Sequence, residues 1–474
     1  MDNSESALIQ GLRSIVGDAN VLLGEQISDN FLKERRGRYS SQTMGVVMPG
    51  TVEEVSALVR FCKNKLLPIV PQGGNTGVCG GAVSVKDSVI VNLARLNRIR
   101  KVDATGFTIE AEAGCILANL QAAAKESNLY LPLSLGAEGT CQIGGNLSTN
   151  AGGVNVLRYG NARDLVLGLE VVLPNGEIWN GLNALRKNNT GYDLKNLFVG
   201  AEGTLGIITS VVLKLFPLPV HRSTVLIAME SVENAVELFS RTRKETSDFA
   251  SSFELMSRVC VEAAFRNIPD CKDFFDQPYP WYVLMELGDS TRDGISQQLS
   301  ESFLESAFED GIVIDAVPAA SEKQSQEMWR LREAIVEAQL YEGKSIKNDV
   351  SVPLDCIAEF VEKSISSLES LIPGMRPFAY GHIGDGNIHL NLSQPRDMDG
   401  DEFFDRWHEV TDIVHEITDG LNGSFSAEHG IGLLKLREMT RYKSSVELEL
   451  MRSLKMALDP DNIMNPGKVL PTSG

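Results

Sequence analysis

Between residues 71 and 209 the chain lays down four glycine-rich turns, separated by stretches that read as strand. They are Pro71-Gln72-Gly73-Gly74-Asn75-Thr76-Gly77; Leu135-Gly136-Ala137-Glu138-Gly139-Thr140, continued by Gly144-Gly145-Asn146 and Thr149-Asn150-Ala151-Gly152-Gly153; Asn189-Thr190-Gly191-Tyr192-Asp193-Leu194; and Gly200-Ala201-Glu202-Gly203 running on to Ile207-Ile208-Thr209. Glycine lets backbone approach a ligand closely and offers its N–H groups to phosphate oxygens. One such turn is as readily a surface loop. Four of them between strands can wrap an extended ligand along its backbone. Neither G-x-G-x-x-G nor G-x-x-x-x-G-K-[ST] is present, which disfavours the usual dinucleotide and triphosphate sites.

The elements around these turns can be read from periodicity. Val46-Val47-Met48 followed by Pro49-Gly50 predicts a strand and turn. Thr51 with Glu54 forms a capping box, and Val55, Leu58, Val59 and Cys62 repeat at helical spacing. Leu67-Pro68-Ile69-Val70 gives a second strand and a βαβ-like unit. Strands are expected at 89–93 and 107–113, and an Ala/Leu-rich helix around 116–125. From about residue 222 the texture changes. Strands at 224–229, 253–256 and 281–287 alternate with amphipathic helices near 232–245, 294–308 and 322–341, as in an α+β substrate or cap domain. From about 410 the chain reads as mostly helical. The expected division is 1–221, 222–410 and 411–474.

At 474 residues, 43% hydrophobic and 23% charged, the chain is an ordinary globular one with room for two or three domains. A net charge of −19 argues against nucleic acid or an anionic membrane as main partner. The 7 cysteines are scattered without CxxC spacing and read as reduced thiols. The acidic start MDNSESALIQGL lacks a secretory pattern, and no run reaches the ~18 apolar residues of a membrane span. The expected location is cytoplasmic.

The densest polar-glycine segment is Gly381-His382-Ile383-Gly384-Asp385-Gly386-Asn387-Ile388-His389-Leu390-Asn391. Asp-Gly suits a two-residue type I′ turn. Counting outward from that turn sets His382 opposite His389, so two imidazoles share a face, and Asn391 shares it too. Ser426-Ala427-Glu428-His429-Gly430 adds a carboxylate and a third imidazole if the chain turns at Gly430. Two histidines and one carboxylate are a common catalytic zinc set. The alternative is turn histidines satisfied by hydrogen bonds. Arg332, in an amphipathic helix, is ordinarily a solvated charge, but its planar fork matches a carboxylate, and Lys347 could hold a second one as a point charge. His408 and His415, seven apart on one helix, read as surface or packing histidines.

PQGGNTG, LGAEGT, GGNLSTNAGG, NNTGYDL and GAEGTLGIIT together resemble the FAD-binding domain of the vanillyl-alcohol-oxidase/PCMH flavoprotein superfamily, over roughly residues 40–220. The resemblance implies a two-subdomain PCMH-type domain. In it the FAD pyrophosphate lies against the loops matching Gly73–Gly77 and Gly139-Thr140, and the flavin end lies near Asn146 and Asn150. Cofactor contacts are expected from Pro71, Gly73, Gly74, Asn75, Thr76, Gly77, Gly136, Gly139, Thr140, Gly145, Asn146, Thr149, Asn150, Gly203, Ile208 and, in the C-terminal segment that returns to the flavin, Asn465. Some members tether FAD through a histidine of this domain. None of the 6 histidines precedes His221, so noncovalent FAD is expected.

LREA followed by KND, then GHIGDGNIHLN and SAEHGIG, looks like the D-2-hydroxyglutarate dehydrogenase branch, close to the D-lactate dehydrogenase and glycolate oxidase branches. That resemblance implies zinc or another divalent metal on His382, His389 and Glu428, and substrate contacts from Arg332, Lys347, Asn391 and His429. His429 is the expected base. Members of the branch carry a threonine one turn after the arginine, where this chain has Val336 at the distal substrate group. The implied activity is oxidation of a D-2-hydroxy acid, with electron-transfer flavoprotein or a quinone-linked chain as acceptor; a homodimer is left open. A reading from another class is a flavin-binding electron-transfer subunit with no substrate of its own.

Overall fold

The computed structural model describes residues 3–471. The chain divides into two compact units: Met1–Gly152, Asn161–Leu218 and Glu428–Gly474 form the first, and Gly153–Gly160 with Pro219–Ala427 the second.

In the first unit, β1 (Val21–Leu22), β2 (Gly45–Val47), β3 (Ile69–Gln72) and β4 (Val89–Asn92) form a sheet in the order β1-β2-β4-β3. β2 and β3 both run parallel to β4. Parallel strands need a crossover, and the helix Val52–Asn64 supplies it. Its start is fixed by Thr51, whose Oγ1 accepts from the Glu54 N–H at 3.2 Å, while Glu54 accepts from the Gly50 N–H at 2.6 Å. The helix buries Val55, Leu58, Val59 and Cys62, the stripe read from the sequence. β4, being central, is buried along its whole length.

Seven further strands follow in this unit: β5 (Ile99–Asp103), β6 (Thr108–Glu112), β7 (Leu129–Tyr130), β8 (Val166–Val172), β9 (Ile178–Asn180), β10 (Ile207–Lys214) and β11 (Phe216–Pro217). Five of them make an antiparallel sheet in the order β5-β6-β10-β8-β9, and β7 pairs with β11. Of the glycine-rich segments, the first follows β3, the second includes the short helix Ile143–Ser148, and the last runs into β10. The C-terminal segment closes the unit: the Asn465 N–H donates to the Ile69 carbonyl at 2.8 Å, extending β3.

The second unit is one antiparallel sheet of seven strands: β12 (His221–Met229), β13 (Ala250–Ser257), β14 (Trp281–Asp289), β15 (Asp315–Pro318), β16 (Ser345–Ser351), β17 (Arg376–His382) and β18 (Asn387–Ser393), in the order β15-β12-β14-β13-β17-β18-β16. Alternation assigns the faces. Val225, Ile227, Phe253, Leu255, Ile388 and Leu390 pack with the helices Val232–Glu245, Ser296–Glu309, Ile357–Leu371 and Trp407–Gly420. Leu226, Ala228, Met256, Phe378 and Tyr380 pack on the other face with the helices Arg258–Asn267 and Glu322–Ala338. Phe360 is fully buried in the first of these cores. Phe360→Ala is expected to cost about 3–5 kcal/mol, read as an earlier denaturant midpoint at unchanged slope.

The units depart from the expected division in two places. Residue 410 does not end the second unit, because Val410 and Val414 are buried in its core and the unit runs on to Ala427. Residues 153–160 also belong there. Val154 accepts from the Ser252 hydroxyl at 2.7 Å, and the Arg158 guanidinium donates to the Gly288 carbonyl. Among the described residues no helix is long and apolar enough to cross a membrane.

Candidate active site

A cleft in the first unit is lined by Pro71, Gly73, Gly74, Asn75, Thr76, Gly77, Gly145, Asn146, Thr149, Gly203, Ile208 and His429, each expected from the sequence to bind cofactor or substrate. Local geometry explains the residue types. Gly74 lies against the Thr140 carbonyl, which a Cβ would meet at 2.3 Å. Asn75, at φ +52°, donates to the Asn30 and Lys33 carbonyls at 2.8 and 2.9 Å and so pins the turn. Gly77 and Gly145 face open space where a side chain would intrude. The side-chain oxygens of Gln142 and Asn146, also in the lining, are buried with no hydrogen-bond partner. An extended ligand with N–H donors and phosphates fits this cradle: glycines leave the room, and orphaned acceptors await donors.

Five expected cofactor residues are placed outside the lining. Gly136, Gly139 and Thr140 form the turn behind the Gly73–Gly77 loop, buttressing it through the Thr140 carbonyl. Asn150, at φ +50°, instead accepts from the Arg163 N–H at 2.9 Å. Asn465 is 1% exposed, and its amide donates to the Gly81 and Glu202 carbonyls at 2.9 and 2.7 Å. It clamps two cleft segments together rather than lining them.

The sequence reading missed Gln142 and Glu202. Glu202 accepts from the N–H groups of Ile431 and Gly432 at 2.7 and 2.8 Å, which sets the loop that begins at His429. Burial raises the Glu202 carboxyl, opposed by those two hydrogen bonds. Lys468, which acts on Glu202 electrostatically, is pushed down to about 8 by burial.

In the second unit a polar row crosses four adjacent strands on the face that carries the Glu322–Ala338 helix. Glu254 on β13 stands opposite His382 on β17, and His389 on β18 stands opposite Asp349 on β16. The expected hairpin register is off by two residues. β17 and β18 pair with Tyr380, not His382, opposite His389. The reason lies in the turn: Ile383–Asp385 winds as a short 3-10 helix, and only Gly386 takes a positive φ, +80°, where a type I′ turn needs two. A slip of two keeps the face, because side chains alternate with period two. The two imidazoles therefore still meet, as diagonal neighbours, with ring centroids 5.7 Å apart and planes at 80°.

Each of these histidines has a carboxylate at Nδ1. His382 Nδ1–H donates to Glu254 Oε1 at 2.6 Å, and His389 Nδ1 lies 3.5 Å from Asp349 Oδ1. A proton held on Nδ1 makes Nε2 the nitrogen with the lone pair, the form in which histidine binds metal. Burial alone would raise the Glu254 carboxyl, but the charges of His382 and Arg332 and their hydrogen bonds hold it below its ordinary value. Burial pushes Asp385 up to about 6. Glu428 is half-buried and follows Ala427, whose N–H donates to the Asp349 carbonyl at 3.4 Å. The chain thus runs beside β16 immediately before Glu428.

Arg332 is 7% exposed, not a solvated charge. Its Nε and Nη2 both reach Glu254 Oε2, at 2.9 and 2.8 Å, and its guanidinium carbon lies 4.9 Å from the Tyr380 ring centroid. Asn391 stands opposite Lys347 across β18 and β16, and its amide donates to Gln339 Oε1 and Tyr380 Oη, each at 3.1 Å. Val336 is 48% exposed, one turn past Arg332. His415 is buried, as a packing histidine, and His408 is exposed, as a surface one.

Comparison with known proteins finds two families along the chain, the second running on through the C-terminal segment that packs in the first unit. Residues 43–181 match the FAD binding domain family, and residues 218–469 match the C-terminal domain of FAD linked oxidases. p-Cresol methylhydroxylase has the same fold, at a TM-score of 0.77 over 99% of this chain and 97% of that one, with 17% identity. Fold and cleft together define an FAD-dependent oxidoreductase with a PCMH-type flavin domain joined to an α+β domain. A probable mitochondrial D-2-hydroxyglutarate dehydrogenase of Oryza sativa subsp. indica is 38% identical over 97% of this chain and 81% of its own length. A D-2-hydroxyglutarate dehydrogenase of Xanthomonas citri pv. viticola is 36% identical over 94% of this chain and 93% of its own. The chain belongs to the D-2-hydroxyglutarate dehydrogenase family.

Proposed function

We propose that this enzyme oxidises D-2-hydroxyglutarate to 2-oxoglutarate, using noncovalently bound FAD and a divalent metal, zinc, held by His382, His389 and Glu428. The observation that carries the metal is the histidine pair with a carboxylate at each Nδ1, on a sheet face that also bears Lys347 and Asn391. When bound, FAD supplies the acceptor for the hydride leaving C2, and a divalent metal lowers the pKa of a hydroxyl it contacts. His429 accepts the 2-hydroxyl proton on its ring, since imidazole titrates near working pH. Lys347 and the part of Arg332 not engaged with Glu254 hold the two carboxylates, and Asn391 fixes the substrate's orientation, contributing by positioning. Electrons then pass to electron-transfer flavoprotein or a quinone-linked acceptor.

Metal removal tests this reading. Verified metal-free enzyme is expected to reduce its flavin about a hundredfold more slowly with D-2-hydroxyglutarate, and zinc is expected to restore the rate. An unchanged rate would contradict the metal role. A second reading, D-lactate or glycolate oxidation, is favoured by one observation: Val336 offers no hydroxyl at the position where the resemblance implies a threonine. Val336→Thr is expected to lower KM for the dicarboxylate by about 2- to 10-fold, as one added hydrogen bond allows, with little change for D-lactate.

A further inference from the structure

Glu254 is a fully buried carboxylate of the second unit, at 0% exposure. An unpaired charge there would be costly, so its partners decide why it is tolerated. They come from two different elements. Oε1 accepts from His382 on β17 at 2.6 Å, and Oε2 accepts from Arg332, on the Glu322–Ala338 helix, through Nε and Nη2 at 2.9 and 2.8 Å. The β13–β17 pairing fixes this arrangement, because Glu254 and His382 are directly opposite in register. We propose that Glu254 is a two-armed positioning residue, which aims His382 at the metal with one oxygen and Arg332 at a substrate carboxylate with the other.

This rests on the metal and substrate roles proposed above. A carboxylate on the far nitrogen fixes the ring's tautomer and orientation and makes it a better ligand. The same carboxylate locks the guanidinium plane over Tyr380. Because both arms share one anion, order imposed at either end is transmitted to the other. Metal and dicarboxylate should therefore tighten each other's binding, and linkage makes the effect equal in both directions.

The test uses holoprotein with FAD bound, Glu254→Gln and wild type side by side. Zinc affinity is measured by competition against a chromophoric chelator, with and without 2-oxoglutarate, the dicarboxylate product. In wild type, 2-oxoglutarate is expected to tighten zinc binding several-fold, on the order of 5-fold or more. E254Q is expected to bind zinc about 10- to 100-fold more weakly, and to lose the tightening. Glu254→Asp, which keeps the charge, should recover part of both. Arg332→Lys, a second variant that leaves Glu254 paired with a cation, should keep zinc affinity within about threefold of wild type while losing the tightening, since lysine lacks the fork. Zinc affinity in E254Q within twofold of wild type overturns the proposal. If E254Q does not fold, tightening that persists in R332K overturns it instead. Wild type that binds no zinc overturns the underlying metal reading as well, and is told apart by that result alone.

Discussion

Replacing His429 by asparagine is expected to leave FAD bound while slowing anaerobic flavin reduction by about two to four orders of magnitude, the usual worth of a positioned general base. His429 lines the same cleft as Gly145, Asn146 and Ile208. Its loop is held from below by Glu202, which accepts from the next two backbone N–H groups but one, Ile431 and Gly432. Gly430 and Gly432 take φ of +76° and +52°, and a Cβ on Gly432 would meet the Cys79 carbonyl at 2.1 Å. The backbone at His429 is therefore set by fixed contacts that the substitution does not touch. Asparagine keeps the polarity and roughly the reach, yet cannot take up a proton. The loss should fall on the reduction rate rather than on flavin content. A variant that reduces its flavin at a near wild-type rate would remove His429 as the base.

Gly74→Val is expected to abolish FAD loading in a chain that still folds. Even a methyl group at Gly74 would sit 2.3 Å from the Thr140 carbonyl, inside any tolerable contact. The obstruction is backbone, not a flexible side-chain end, so the loop must move rather than its neighbour. Asn75 is tied to the Asn30 and Lys33 carbonyls immediately after it, and moving one means breaking the other. A loop displaced by about 1 Å no longer presents its N–H groups to a phosphate at hydrogen-bond distance. FAD occupancy, from the ratio of flavin to protein absorbance, should fall below a tenth with far-UV circular dichroism unchanged. Stoichiometric FAD in this variant would show that the Gly73–Gly77 loop does not hold the cofactor.

Much of this fold is legible where a single periodicity governs. In β18, Ile388, Leu390 and Leu392 face the core while His389 and Asn391 face away, so alternation alone assigned the polar face. The helix Val52–Asn64 was equally plain, since its cap and its apolar stripe agree. The His382–His389 hairpin shows where such reading stops. Asp-Gly serves a two-residue turn, but it also serves a turn in which only the glycine is left-handed, and the sequence does not choose between them. What the packing around the turn does require is the glycine itself: the Val352 carbonyl would lie 2.3 Å from a Cβ on Gly386.

The bracing residues of the cofactor loops and Glu254 were hidden for different reasons. Motif likeness marks segments, and it does not separate residues that touch a ligand from those that brace the ones that do. Asn150 and Asn465 fall in the right segments, yet their side chains bond to protein backbone. Glu254 left a signal that could have been used: a carboxylate at the centre of the strand Ser-Ser-Phe-Glu-Leu-Met. A charge between Phe253 and Leu255 in a strand demands a partner once that strand is buried, though only tertiary structure names His382 and Arg332 as its partners. The second unit's true end, Ala427, was hidden because the sequence does not say which core a helix such as Trp407–Gly420 joins.

The most direct measurement is anaerobic stopped-flow bleaching of the bound flavin with D and L forms of 2-hydroxyglutarate and lactate, and with glycolate. On the proposed reading, in which Arg332 and Lys347 each hold a carboxylate, D-2-hydroxyglutarate is predicted to bleach the flavin with the highest kcat/KM and the L acids not at all. Faster bleaching by D-lactate or glycolate, or none by any acid, would contradict it.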